Sequence, residues 1–289
     1  MKWMNFLLLI CSCMPLWGQG FVENLTTASN VRMTVTNVGT FGNAFRGYKD
    51  GSGQPSGEYP AGSGTEHLFE SGIWIGGIDQ SGAIRVSTSA YDAPQGYAPG
   101  RGGFEFTNSN GGMEIISSLT DNPNYSSSAI SHQDFISNFS DENLLIPGTS
   151  IPISGHINPM GLSITLSTYN WNYRFSDFFV IANVEIENTG TEVYEDLHIG
   201  LWANTVVRNI NSTPAGSGGS VFYNQGGNGY IDSLAMAYCF DATGDIGATD
   251  SYIGQKFLGS EDKFGFHHPK IDLNFKDHYN AWIFNNSGQ

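Results

Sequence analysis

Hydrophobic and polar positions alternate along much of this chain. In DFFVIANVEIENTGTEVYEDLHIGLWAN, Asp177 to Asn204, Val180, Ala182, Val184 and Ile186 fall on one side of an extended backbone. On the other side Phe179 and Ile181 give way to Asn183, Glu185 and Glu187. The run reads as a strand that enters a core on both faces and leaves it half-solvated. Asn188-Thr189-Gly190 interrupts it, with Gly190 free to take positive φ. Leu197, Ile199, Leu201 and Ala203 then alternate again. A period of two fits this stretch and a period of 3.6 does not, which predicts strand, turn, strand.

The same pattern recurs on both sides. NVRMTVTNVGTFGN alternates at Val31, Met33 and Val35 and turns at Asn37-Val38-Gly39. IWIGGIDQSGAIRVST predicts a hairpin: Ile73 and Ile75 run in, Asp79-Gln80-Ser81-Gly82 turns, Ile84 and Val86 run back. Leu162, Ile164 and Leu166 begin another strand, which pauses at YNWNY, and SLAMAYCFD, SYIGQKFL and NAWIF are further candidates. Between Asp121 and Ser150 the pattern is weak, with Asn, Ser and Pro throughout, and it leaves room for a short helix. RGYKDGSGQPSGEYPAGSGTEH, YDAPQGYAPGRGG and NSTPAGSGGSVFYNQGGNG are loops rich in Gly, Ser and Pro. No fixed-period repeat is present, which argues against a solenoid or propeller.

Composition agrees with the pattern. Among 289 residues there are 37 Gly and 11 Pro, 13% are charged and 13% aromatic, a profile of many turns and β-favouring side chains. The expected fold is all-β: a β-sandwich, Ig-like or jelly-roll-like, with long Gly/Ser/Pro-rich loops. A boundary near Pro147 to Pro159 would divide an N-terminal β-rich region, 21–155, from a sandwich region, 156–289, or the two form one unit.

The first twenty residues read differently. Lys2 precedes the apolar run Phe6 to Leu16, and Gly18-Gln19-Gly20 offers small residues for cleavage, so residues 1–20 are expected to be a secretory signal with Phe21 as the mature start. The run is too short to span a bilayer, and no later run is long enough for a transmembrane helix. Ile10-Cys11-Ser12 before Cys13 departs from a lipobox, which disfavours lipid anchoring. Cleavage would leave Cys239 alone, so an exported chain would hold together by core burial, with metal ions as a further support, rather than by disulfides. The net charge of −15 disfavours nucleic-acid and anionic-membrane partners.

Familiar catalytic motifs are missing: no GxxxxGK[ST] phosphate loop, GxSxG elbow or HExxH zinc pair occurs. Glu66-His67-Leu68-Phe69-Glu70 holds an HxxE spacing that would gather ligands only on a helix, where strand signals stand instead. His132 and Asp134 would share a strand face, as an orienting pair or a surface hydrogen bond. His267 and His268, adjacent in a strand, would point to opposite faces. The best oxygen cluster is DATGDIGATD, where Asp241, Thr243, Asp245 and Asp250 offer the hard ligands that calcium takes. The EF-hand spacing is absent, so a metal-free polar hairpin is the preferred reading and a calcium site the alternative. Paired carboxylates for glycoside cleavage would come from separate strands, and no pair is nominated.

NVGTFGN, SGEYPAGSGTEHLFESGIWIGGI, RVST, SAISHQDF and the ENTG…IGLWAN stretch together resemble large exported proteins of Bacteroidota-type bacteria. Those proteins commonly carry a C-terminal type IX secretion sorting domain. The likeness spans Val31 to Phe284 and rests on structural motifs. It implies a β-rich, extracellular or cell-surface protein, and it brings no catalytic residues. No sorting domain follows here, so the chain is expected to be part of a longer polypeptide that continues past Gln289. Asp232-Ser233-Leu234 also matches the short sequon such bacteria glycosylate. The leading expectation is a non-enzymatic surface scaffold or interaction region, with a glycan or a cell-surface protein as partner. Rival expectations are a carbohydrate-binding or carbohydrate-cleaving protein, and an accessory region of a secreted peptidase.

Overall fold

The computed structural model describes residues 21–45, 52–90, 103–109, 111–212, 226–242, 247–272 and 277–281. The expected signal at 1–20 and the end of the last strand candidate, Trp282 to Phe284, lie outside them.

Most of the alternating stretches become strand. The first half contributes β1 (Glu23–Leu25), β2 (Arg32–Thr36), β3 (Thr40–Phe41), β4 (Gly57–Glu58), β5 (Thr65–Ile78), β6 (Ile84–Thr88), β7 (Asn108–Ser109), β8 (Glu114–Ile116) and β9 (Gln133–Ser140). The second contributes β10 (Leu162–Asn170), β11 (Ile181–Asn188), β12 (Glu195–Asn209), β13 (Gly226–Ile231), β14 (Met236–Asp241), β15 (Tyr252–Lys256), β16 (Ser260–Asp262) and β17 (Gly265–His267). One sheet runs β1-β2-β3-β5-β12, with β4 joined to β2 and β5, and β6 joined to β5. The second runs β11-β10-β9-β7, with β8 on β9. Smaller sheets are β13-β14-β15 and the β16–β17 hairpin, and all these strand pairs are antiparallel.

The two large sheets face each other as a sandwich. Val35, Phe41, Ile73 and Ile75 from one meet Phe139, Ile164 and Leu166 from the other in the main core. A second core gathers Val38, Phe45, Phe69, Phe104, Ile146 and Val206. The long strand β5 feeds both. Asn204 pairs with Glu70 and Thr205 with Leu68, leaving Phe69 as an extra residue in a bulge. Leu68 thereby enters the main core and Phe69 the second.

A polar peg locks the sheets together. Asp141, just past β9, is fully buried. Its Oδ2 accepts from Ser87 Oγ of β6 at 2.6 Å and from Met160 N at 2.8 Å, and its Oδ1 accepts from Leu162 N at 2.7 Å. His156 Nε2 donates to the Asp141 carbonyl at 2.6 Å. The close approach of the sheets also requires Gly39, whose φ is 82° and whose missing Cβ would sit 2.8 Å from Phe139 Cζ.

Two details differ from the sequence reading, the stretch from Asp121 to Ser150 and the glycine that takes the left-handed backbone. The short helix allowed for between Asp121 and Ser150 is strand β9, disguised because Ser137 interrupts the inward row of Phe135 and Phe139. The strand, turn and strand expected in DFFVIANVEIENTGTEVYEDLHIGLWAN form, each strand in a different sheet: β11 closes the second sheet and β12 the first. Gly161, with φ 74°, takes the left-handed backbone at the ENTG break, and Thr189 N and Gly190 N both donate to its carbonyl. The division at 155/156 passes between paired strands in both sheets, since β9 pairs β10 and β5 pairs β12.

Candidate functional site

Six aromatic residues occupy the eleven positions from Tyr169 to Phe179, YNWNYRFSDFF, where β10 hands over to β11. The stretch is held at several points. Asn170, fully buried, donates through Nδ2 to Ser29 Oγ at 2.7 Å and through its backbone to Ser131 Oγ at 2.8 Å. Asn172 N donates to His132 Nδ1 at 3.2 Å, and Ser176 N closes a turn onto Tyr173 O at 2.8 Å. Asn30 grips Asp177 twice, N to O at 3.0 Å and Nδ2 to Oδ2 at 2.7 Å.

With the polar groups committed inward, the rings are left outward. Tyr173 is 50% exposed, Phe178 54% and Phe175 74%. Tyr173 and Phe175 stack nearly parallel, 10° apart with centroids at 5.4 Å, and the edge of His132 supports Tyr173 at 4.7 Å. Phe178 meets Phe179 edge to face at 5.3 Å. The result is a fixed apolar ridge standing in water, the kind of surface that marks a recognition site. In sequence this stretch reads only as a pause in a strand; the density of aromatic residues was the available signal.

A second exposed aromatic surface lies on the outward face of the first sheet. Trp74, 42% exposed, is opposite Gly200 and between Gly72 and Gly76, and Val86 and Ile84 are exposed on β6 beside it. A Cβ at Gly200 would meet nothing within 4 Å, so the surface opposite the indole is open, while Gly72 beside it is covered by the Ser89–Ala90 backbone.

The polar candidates separate. His132 and Asp134 do not pair, which corrects the shared-face expectation. His132 precedes β9, so strand alternation does not govern it, and Asp134 accepts instead from Ile130 N at 2.7 Å, Ser131 N at 2.8 Å and the Ser131 hydroxyl. Glu66 and His67 are adjacent on strand β5. Glu66 accepts from Ser56 N at 3.0 Å and Gly57 N at 2.6 Å, and burial pushes its pKa up to about 7. Burial lowers that of His67, whose Nε2 lies 2.6 Å from Ser251 Oγ. His267 donates from Nδ1 to Asp272 at 2.6 Å and from Nε2 to Asp262 at 3.2 Å, and these bonds raise its pKa; His268 Nδ1 accepts from Lys270 N. Burial raises the Cys239 thiol, away from thiolate character.

Of the calcium candidates, Asp241 ends β14, where its Oδ1 accepts from Ala242 N at 2.9 Å, and Asp250 lies in the loop before β15. Thr243 and Asp245 fall outside the described residues. Among the described residues, no three His, Cys, Asp or Glu side chains are grouped to hold a metal, and no helix is long and apolar enough to cross a membrane. Ser233 of the possible sequon is exposed on a short 3₁₀ turn, Asp232–Leu234. No family model matches the chain, and no curated protein or solved structure matches it.

Proposed function

We propose that this chain is an exported, non-enzymatic interaction region of a longer cell-surface polypeptide, and that it engages a cell-surface partner through the loop Trp171 to Phe179. One observation carries the reading: Tyr173, Phe175 and Phe178 stay in water although the loop that bears them is anchored to Ser29, Asn30, Ser131 and His132. Exposure of apolar rings has a cost that loose packing would relieve, and here the anchoring prevents that relief. The charged start, apolar run and small residues before Phe21 support export, and the likeness to type IX-secreted proteins supports the cell surface.

Fluorescently labelled chain, residues 21–289, applied to intact cells of the native host tests it. Saturable binding is expected, weakened at least tenfold when Tyr173, Phe175 and Phe178 are all replaced by Ser, with the melting temperature unchanged. Failure to bind, or equal binding by the variant, refutes the reading. A carbohydrate partner is the second reading, favoured by Trp74, 42% exposed and paired across the strands with Gly200, an indole available to stack on a sugar face. Competition by soluble cell-wall polysaccharide, abolished by Trp74→Ala rather than by the loop variant, would select it.

A further inference from the structure

Among the described residues, the two strands that close the sheets, β11 and β12, leave one side of the sandwich open. Val184 pairs with Leu166 and Ile186 with Ile164; Ile199 pairs with Ile75 and Leu201 with Ile73. Directly opposed residues share a sheet face, so both apolar rows point into the sandwich beside fully buried partners. Yet Leu197, Ile199 and Leu201 are 51%, 56% and 49% exposed. The link Thr189 to Tyr194 carries the chain from one edge to the other and is pinned across the gap by Tyr194 Oη donating to Met160 O at 3.1 Å. The two edges therefore lie on the same side, their inward apolar rows only partly covered: Val184 and Ile186 are half-buried, and Ile199 and Leu201 stand about half in water.

The chemistry of that side specifies what would fill it. β11 pairs with β10 in unbroken register from Ile181 to Asn188 and has no second partner among the described strands. Its free edge carries backbone donors and acceptors that a helix cannot satisfy and an extended chain can. It contains no Pro, Lys or bulge of the sort that guards natural edges. Its outward row, Asn183, Glu185 and Glu187, is exposed and acidic. From Ile181 to Leu201 the sequence holds Glu185, Glu187, Glu192, Glu195 and Asp196 and not one Lys or Arg. A second copy of the same strip would set acid against acid across the new pair, which is destabilising.

We propose that this open side accepts one extended strand of another polypeptide, added to the free edge of β11. Alternate side chains of that strand are apolar and cover Val184, Ile186, Ile199 and Leu201, and those between are Lys or Arg and face Glu185 and Glu187. This is strand addition, in which the main chain provides affinity and the alternating side chains provide selectivity. It is independent of the aromatic loop.

A fluorescein-labelled peptide, Lys-Val-Lys-Ile-Lys-Val-Lys-Ile-Lys, titrated with the chain at physiological salt provides the test by anisotropy. Saturable binding is expected, together with new amide-exchange protection over Ile181 to Asn188. Ile199→Thr with Leu201→Thr should weaken binding at least tenfold without lowering the melting temperature, because both side chains are half in water. Glu185→Lys with Glu187→Lys should weaken it as much and transfer preference to the matching Glu-for-Lys peptide. A peptide of the same composition with its apolar residues grouped at one end should not bind saturably. Absence of binding, equal binding of the grouped peptide, or protection elsewhere overturns the proposal. So does sedimentation showing that the chain dimerises through this side, or protection of the β11 edge before any peptide is added.

Discussion

Removing the Asp141 carboxylate should be among the most damaging single changes available in this protein. Asp141→Ala leaves three buried donors, the Ser87 hydroxyl and the Met160 and Leu162 amides, without their acceptor. A buried donor left unsatisfied costs about 1–3 kcal/mol, and the hydroxyl can rotate while the amides cannot, so roughly 3–5 kcal/mol is expected. Asp141→Asn keeps an acceptor for Leu162 but turns an NH₂ toward the Met160 amide, and should cost about 2–3 kcal/mol. Ser87→Ala removes one donor together with its need and should cost about 1 kcal/mol. Urea unfolding followed by tryptophan fluorescence reads the series. With a slope on the order of 2 kcal/mol/M, Asp141→Ala moves the midpoint down by about 2 M, a large part of a typical stability of about 5–15 kcal/mol. An alanine variant within 1 kcal/mol of the parent, roughly the effect of a single ordinary hydrogen bond, or an inverted order with Ser87→Ala the worst, would refute the reasoning.

Two further outcomes follow from local geometry. Gly39→Ala combines left-handed strain with a contact against the buried Phe139 ring and should cost about 3 kcal/mol, whereas Gly82→Ala, at the same φ in open space, should cost about 1 kcal/mol; equal thermal shifts would contradict the assigned contact. Glu66 keeps its proton more tightly when folded, with a pKa raised from 4.5 to about 7, so its contribution is fully present below the unfolded value and is lost as pH rises through the folded one. Stability should therefore fall by about 3 kcal/mol on this account between pH 4.5 and pH 7, and Glu66→Gln should flatten that fall; an unchanged slope in the variant would show that the group is not the source.

Much of the strand content was legible because alternation is a local property. The hairpin through Asp79 to Gly82 forms as its sequence indicates, with Asp79 Oδ1 accepting from Ser81 N and Ala83 N, both at 2.9 Å. Leu162, Ile164 and Leu166 face the core as their spacing requires. Pairing was less legible, because it depends on residues far away in the chain. Nothing in the short ENTG break says that β11 and β12 join different sheets. The bulge at Phe69 is likewise invisible, since either residue of Leu68-Phe69 suits an apolar row. At the candidate site the limit was different: aromatic residues predict burial, and only the anchoring by Asn30, Asn170 and His132 leaves Tyr173, Phe175 and Phe178 outside.

The pairing of β5 with β12 also sets a timetable. Thr65 to Ile78 must find partners between Glu195 and Asn209, more than a hundred residues later in the chain. At a synthesis rate of about 5–20 residues per second, β5 waits roughly ten seconds for its main neighbour. Until then Ile73 and Ile75 belong to a strand with one edge uncovered, and neither core can close, because β5 contributes to both. Such long-range closure is slow for topological reasons. A chain leaving a ribosome in this condition is exposed to aggregation and depends on a holding factor, whereas one threaded unfolded across a membrane loses nothing by the delay. Under the export proposed above, the late arrival of β12 would keep the chain pliable during passage and let it set as a unit afterwards.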